Sequence, residues 1–291
     1  MTLERKATIV SSVVATILIL IKLVASILSG SVALLASAID SVLDLIVSLF
    51  NYFAVVNSEK PADREFNYGR GKIEALASVI EGTIIVISGL FIIYQSVDKL
   101  INKESINYLN EALWVMVISF FITLGLVKFL EYVAKKTNSM VIKADALHYK
   151  TDLLSNLAIL ISLAVVYFTG FEFVDAIMGF LIAIYIIHSA YKLIKDGVLV
   201  LLDISLDREI VDKIIESFNA NNFVDSYHDL RTREAGKDRF VDVHLVFHKN
   251  ISLLEAHDRA DEIIANIKSL DDRVNWIINV HFDPFDDSVI K

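Results

Sequence analysis

The chain has 291 residues, of which 55% are hydrophobic, with a mean hydropathy of +0.57 and a formal net charge of -9. That composition excludes an ordinary soluble domain of this length and points to a polytopic membrane protein with a soluble part. The complete absence of cysteine excludes disulfides and thiolate metal sites, so any metal must be held by histidine and carboxylate.

Six apolar runs are long enough to cross hydrocarbon, at roughly 8–29, 32–56, 73–97, 112–134, 142–168 and 174–194. The first is too long for a signal peptide and is read as a permanent helix. Pro61 and Pro284 both lie outside these runs, so the helices are expected to be unbroken. Arg5 and Lys6 precede run 1, Lys60, Arg64, Arg70 and Lys72 lie between runs 2 and 3, and Lys135, Lys136 and Lys143 lie between runs 4 and 5. Lys192 and Lys195 close run 6, while the 1–2 and 5–6 connections carry no Lys or Arg. The positive-inside rule therefore places both termini in the cytoplasm, and the chain is expected in the cell (inner or plasma) membrane.

The second run contains Asp40 and Asp44, and the fifth contains His148 and Asp152. Each pair is spaced i,i+4 and shares a helix face. An acid at mid-bilayer costs about 2.5–3.5 kcal/mol, so two on one helix cost on the order of 6 kcal/mol. A divalent cation between the helices offsets this most directly. Three carboxylates and one imidazole suit Zn²⁺ and tolerate Fe²⁺, Co²⁺, Mn²⁺ or Cd²⁺, but lack the oxygens Ca²⁺ prefers. A competing reading pairs an acid with Lys22 of run 1, and another makes the acids a proton relay without metal. Lys128, Glu131, Glu74 and Glu81 are read as structural, with Lys128 and Glu131 able to pair at i,i+3 or to snorkel to the interface.

Beyond about residue 203 the pattern becomes that of a soluble domain. The order is helix, two strands around Ala235-Gly236-Lys237-Asp238, a helix capped by Ser252, and a third strand, RVNWIINVHFDP. This αββαβ order predicts a small α+β domain over 204–291 after a six-helix membrane domain over 1–203. Its charge balance is acidic, with 11 of the 27 basic and 18 of the 36 acidic residues from Leu206 onward, which argues against nucleic acid as a partner. His281 and Asp283 project from one face of the third strand, and His244 and His248 are expected to share a face of the second. His228 begins the first strand, so adjacent antiparallel strands would gather His228, His244, His281 and Asp283, with His257 on the nearby helix.

The stretches AIDSVLDLIVSL, YGRGKIEALA, ADALHYKTDLLSN, LRTREAG and NVHFDP, in this order and at these depths, resemble the cation diffusion facilitators, in particular their bacterial zinc and ferrous-iron efflux branch. The resemblance implies a homodimer in the lipid bilayer that exports divalent metal ions in exchange for protons, with a metallochaperone-like, ferredoxin-like tail. It implies a transport site at Asp40, Asp44, His148 and Asp152, and a cytoplasmic metal site at His228, His244, His281 and Asp283 with His257 as a bridging ligand. It also implies a charge interlock at Lys72 and Asp203 near the membrane. Where relatives hold a further metal in the loop between helices 2 and 3, this chain keeps Asp63 but has Phe66 and Arg70 at the histidine positions, so that site is expected to be degenerate. Two rivals follow from the same residues: a proton-conducting channel, and a membrane-anchored metal sensor. No Gly-rich phosphate loop or nucleophile elbow is present to suggest an enzyme.

Overall fold

In the computed structural model, residues 1–29, 32–102, 110–169 and 173–286 are described, and they form two compact units, Met1–Val198 and Leu199–Lys291. The first unit is built from six long helices: α1 (Leu3–Ser29), α2 (Val32–Ser58), α3 (Lys72–Asn102), α4 (Asn110–Thr137), α5 (Met140–Thr169) and α6 (Phe173–Leu201), the last of which runs three residues into the second unit. Among the described residues, five helices are long and apolar enough to cross a membrane.

The burial of these helices is inverted relative to a soluble bundle. Large apolar side chains such as Val13, Leu20, Ile46, Ile87, Phe91 and Phe121 are exposed on the outside. Small and polar ones, including Ser11, Ser41, Ser48, Asn51 and Ser78, are buried between helices. Lipid solvates Leu as well as a protein core does, so helix contacts are left to small residues and hydrogen bonds. At Gly197 of α6 an added Cβ would lie 2.7 Å from Val79 Cγ2, 2.9 Å from Ser78 Oγ and 3.0 Å from the Ala75 carbonyl oxygen, so α3 and α6 approach backbone to backbone there.

Polar ties fix the remaining helices. Ser139 at the start of α5 donates from Oγ to Glu74 Oε2 at 2.8 Å, and Ser58 at the end of α2 donates to Glu74 Oε1 at 3.4 Å. Glu74 thus has the structural role expected of it. Glu131 also has a structural role, with a partner other than Lys128: it accepts from Lys150 Nζ of α5 at 3.4 Å. A neighbouring helix supplied a partner that spacing along one helix does not reveal.

The second unit follows the expected αββαβ order as α7 (Arg208–Asn219), β1 (Val224–Ala235), β2 (Asp238–Phe247), α8 (Leu253–Lys268) and β3 (Asn275–Asp283). Gly236, at φ 64°, takes the left-handed conformation in the β1–β2 turn. Ser252 caps α8 by accepting from Glu255 N at 3.1 Å. The sheet order is β1-β2-β3, with β1 antiparallel to β2. The expectation of antiparallel neighbours fails for β3, which runs parallel to β2. The helix α8 between them returns the chain to the edge where β2 began, as a β-helix-β crossover requires.

Alternation along β2 sorts its two faces. Val241, Val243, Leu245 and Phe247 are buried in a core with Ile214 and Phe218 of α7 and Ile263 and Ile267 of α8. Asp242 and His244 take the other face. His248 falls one residue beyond β2, so it does not share the strand face with His244. It pairs instead with Asp225, Nδ1 to Oδ1 2.6 Å, both half exposed.

Candidate metal centres

In the membrane unit, α2 and α5 bring Asp44, His148 and Asp152 together, with one ligand atom from each lying within 4.8 Å of the others. His148 Nε2 is 3.2 Å from Asp44 Oδ1 and 4.0 Å from Asp152 Oδ2. A tie beside this point sets the facing of the two helices. Tyr149 is buried, and its hydroxyl lies 2.8 Å from Ser48 Oγ of α2. Consecutive residues on a helix point about 100° apart, so anchoring Tyr149 inward toward Ser48 sets where His148 can point.

Asp40 is one helical turn from Asp44 on the same face, is exposed, and stands outside the group of three. It is near enough to Asp152 to act on it electrostatically. Lys22 does not take the role of counter-ion bonded to Asp40 or Asp44. Its ammonium donates to Ser41 Oγ at 2.7 Å and to the Ser37 carbonyl oxygen at 3.3 Å. The geometry therefore leaves a two-carboxylate, one-imidazole cluster with a third carboxylate one turn away. Such a set can take a borderline divalent ion at the imidazole and carboxylate oxygens.

In the tail, the strand register does what spacing along one strand could not. His228 is opposite His244, and His244 is beside His281, so three imidazoles form a row across β1, β2 and β3. Their ring centroids are 4.8 and 4.5 Å apart. Asp283 closes the row, with Oδ2 2.9 Å from His244 Nδ1 and 3.2 Å from His228 Nε2, and Oδ1 3.2 Å from His281 Nε2. Three ring nitrogens around one carboxylate form a donor set that fits a zinc-like ion, with Asp283 as an oxygen ligand. His257 is not drawn into this row. It is exposed on α8, its Nε2 3.8 Å from Asp261 Oδ2, and its ring packs edge-on to Phe282. Asp229 was not singled out from the sequence, yet it joins His228 and His244 as a second grouping. Its φ of 51°, next to the irregularity in β1, swings it there, and no periodicity announces a bulge.

The loop between α2 and α3 is occupied by its own residues. Asp63 Oδ1 accepts from the backbone N–H groups of Glu65 and Phe66 at 2.9 and 2.8 Å. Its Oδ2 is 2.7 Å from Arg70 Nη2, and the guanidinium carbon of Arg70 sits 4.2 Å from the centre of the Phe66 ring. The Phe66 N–H bond, with help from Glu65 N–H and Arg70, holds the Asp63 carboxyl below its ordinary value. Of the residues expected at the interlock, Lys72 opens α3, and Asp203, at φ 58°, lies 3.3 Å from Arg233 Nη1.

Comparison with known proteins matches both units. The cation efflux transmembrane domain matches residues 8–202, and the cytoplasmic domain of cation efflux proteins matches residues 206–285. The chain is 39% identical to a cation-efflux pump FieF of Yersinia enterocolitica, over 90% of this chain and 87% of the relative. Proteins of the same description from Serratia proteamaculans and Klebsiella pneumoniae are each 37% identical over the same shares.

Proposed function

This chain belongs to the cation efflux family, as a membrane transporter rather than an enzyme, and we propose that it exports Zn²⁺, with Fe²⁺, Cd²⁺, Co²⁺ or Mn²⁺ as alternative cargo, from the cytoplasm in exchange for protons. The convergence of Asp44, His148 and Asp152 between two membrane helices carries this reading. Asp40 completes the set as the fourth ligand when α2 and α5 shift in the cycle. In the inward-facing state the cation exchanges its water for these side chains. Rocking of the helices then opens the same pocket outward. Every ligand must be deprotonated to hold metal, so metal and protons compete for one set of groups, and that competition couples them.

The protein works as a homodimer in the inner membrane with both termini cytoplasmic. The histidine row of the tail holds a regulatory metal ion, with His257 entering as a bridging ligand when a second ion binds. Lys72 and Asp203 form a charge interlock between protomers. The α2–α3 loop carries no metal, because Arg70 already neutralises Asp63.

The test is metal flux into proteoliposomes across a metal panel under an imposed pH gradient. Asp44→Ala is expected to lower flux at least ~100-fold while the tail still binds metal. Full flux in that variant would remove the site assignment. Proton flux without transition metal would replace the exchanger by a channel.

A further inference from the structure

Beside the transport residues, toward the helix ends that carry Lys72 and Lys143, the membrane unit contains a second polar cluster: Asn51 of α2, Glu81 of α3 and Asp145 of α5. Asn51 lies seven residues past Asp44, about 10 Å along its helix, and Asp145 lies three residues before His148, about 4.5 Å along its own. All three side chains are more than nine-tenths buried, with Glu81 1% exposed and Asp145 and Asn51 fully buried. Asn51 Nδ2 donates to Asp145 Oδ1 at 3.2 Å, and Glu81 is an electrostatic neighbour of both Asp145 and Asn51. That single hydrogen bond leaves four buried oxygens without a partner: Glu81 Oε1 and Oε2, Asp145 Oδ2 and Asn51 Oδ1.

A buried acceptor without a donor costs roughly 1–3 kcal/mol, and more when charged. Four such acceptors on three neighbouring helices favour an occupant that supplies positive charge. The orphans are all oxygens, and two carboxylates supply two negative charges. A proton neutralises one charge and uses two of the four atoms. A divalent cation neutralises both charges and uses all four. An oxygen-only set with no imidazole suits a hard ion, Mn²⁺, Fe²⁺ or Mg²⁺, better than Zn²⁺. Glu81, read from the sequence as structural, is fully buried with no close hydrogen bond to its carboxylate oxygens.

We propose that Asn51, Glu81 and Asp145 form a second divalent-cation site within the membrane, an all-oxygen station between the cytoplasm and the Asp44–His148–Asp152 site. This rests on the reading of that site as the transport site. An incoming ion meets hard oxygen ligands first and the imidazole second, so an ion that prefers nitrogen moves on and a hard one lingers.

The experiment counts Mn²⁺ bound at equilibrium by the full chain in nanodiscs, using dialysis and metal analysis. The tail contributes the same amount in every variant. Glu81→Gln is expected to lower bound Mn²⁺ by one equivalent per chain, Asp44→Ala by a different equivalent, and the double variant by two. Unchanged Mn²⁺ in Glu81→Gln, the result a shared proton would give, overturns the proposal, as does a double variant that loses no more than Asp44→Ala alone. An Asp44→Ala variant that loses nothing would instead contradict the transport site. If Glu81→Gln does not fold, Asn51→Asp decides. A third carboxylate should tighten that equivalent by about tenfold, and no tightening overturns the proposal.

Discussion

Asp63 shows how a neighbouring residue decides what a carboxylate can do. Its two oxygens serve the backbone N–H groups of Glu65 and Phe66 and the Arg70 guanidinium. A cation would have to displace all of them and then face Arg70. Asp63→Ala is therefore expected to leave both metal stoichiometry and flux within twofold of wild type. Phe66→His with Arg70→His should add one bound Zn²⁺ per chain, read by metal analysis, since two imidazoles and a freed carboxylate make a three-ligand set. A different residue-scale prediction concerns Asp271 in the tail. Its side chain accepts from Arg273, its largest influence, with further help from the Arg273 N–H and Arg239, and its carboxyl is held down to about 2. The unfolded value is near 3.9. Because the folded value is the lower one, the charged form stabilises the fold above about pH 4, and that contribution is lost as pH falls through about 2. Solvent screening limits it to about 1 kcal/mol or less. Asp271→Asn should lower the urea midpoint of the tail at pH 7. The gap to wild type should close between pH 4 and pH 2, followed by Trp276 emission in a Trp114→Phe background. A gap that persists at pH 2 would mean the pair is not its origin.

At the scale of elements, α3 against α6 shows why the membrane unit tolerates so little change. The contact at Gly197 places Val79, Ser78 and the Ala75 backbone where a side chain would go. Backbone and a buried serine cannot swing away as the end of a long side chain does. Gly197→Leu is expected to abolish a stable bundle or cut the yield of monodisperse protein at least ~10-fold, measured by size exclusion in detergent. Gly125, with nothing within 4 Å of an added Cβ, should accept Ala with no loss. These contrasts were not legible in the sequence, where both are glycines in apolar runs. Much else was. The helices, the αββαβ order, the Ser252 cap and the i,i+4 pairs are local features, written in periods of 3.6 and 2. What escaped depends on partners distant in sequence. The Asn51–Asp145 bond joins residues 94 apart, and Glu131 takes Lys150 of another helix rather than Lys128 three residues away. The parallel placement of β3 and the swing of Asp229 belong to the same class, since pairing direction and bulges are set by tertiary packing.

For the whole molecule, the uneven charge yields the last prediction. The tail holds 18 acidic against 11 basic residues, so two tails of a dimer repel each other at low ionic strength. The histidine row opens on the sheet face away from the helix-covered core, with His281 exposed and Asp283 closing it. A divalent ion there changes each tail by two charges at a surface where screening extends only about 10 Å at 0.1 M salt. Metal should therefore bring the two tails of a dimer nearer, and salt should do part of the same work without any ligand. The cysteine-free sequence permits a clean measurement, since Lys249→Cys introduces the only thiol. Spin labels there, in the full dimer, are expected to give a shorter and narrower distance distribution on adding Zn²⁺, reversed by chelator. His244→Ala should abolish the metal response, because His244 links His228 to His281 across the sheet, yet keep the response to salt, because the substitution leaves the tail's excess of acidic residues in place. A metal response that survives in His244→Ala would locate the effect elsewhere. A wild-type dimer indifferent to both metal and salt would show that tail repulsion has no part in the control of transport.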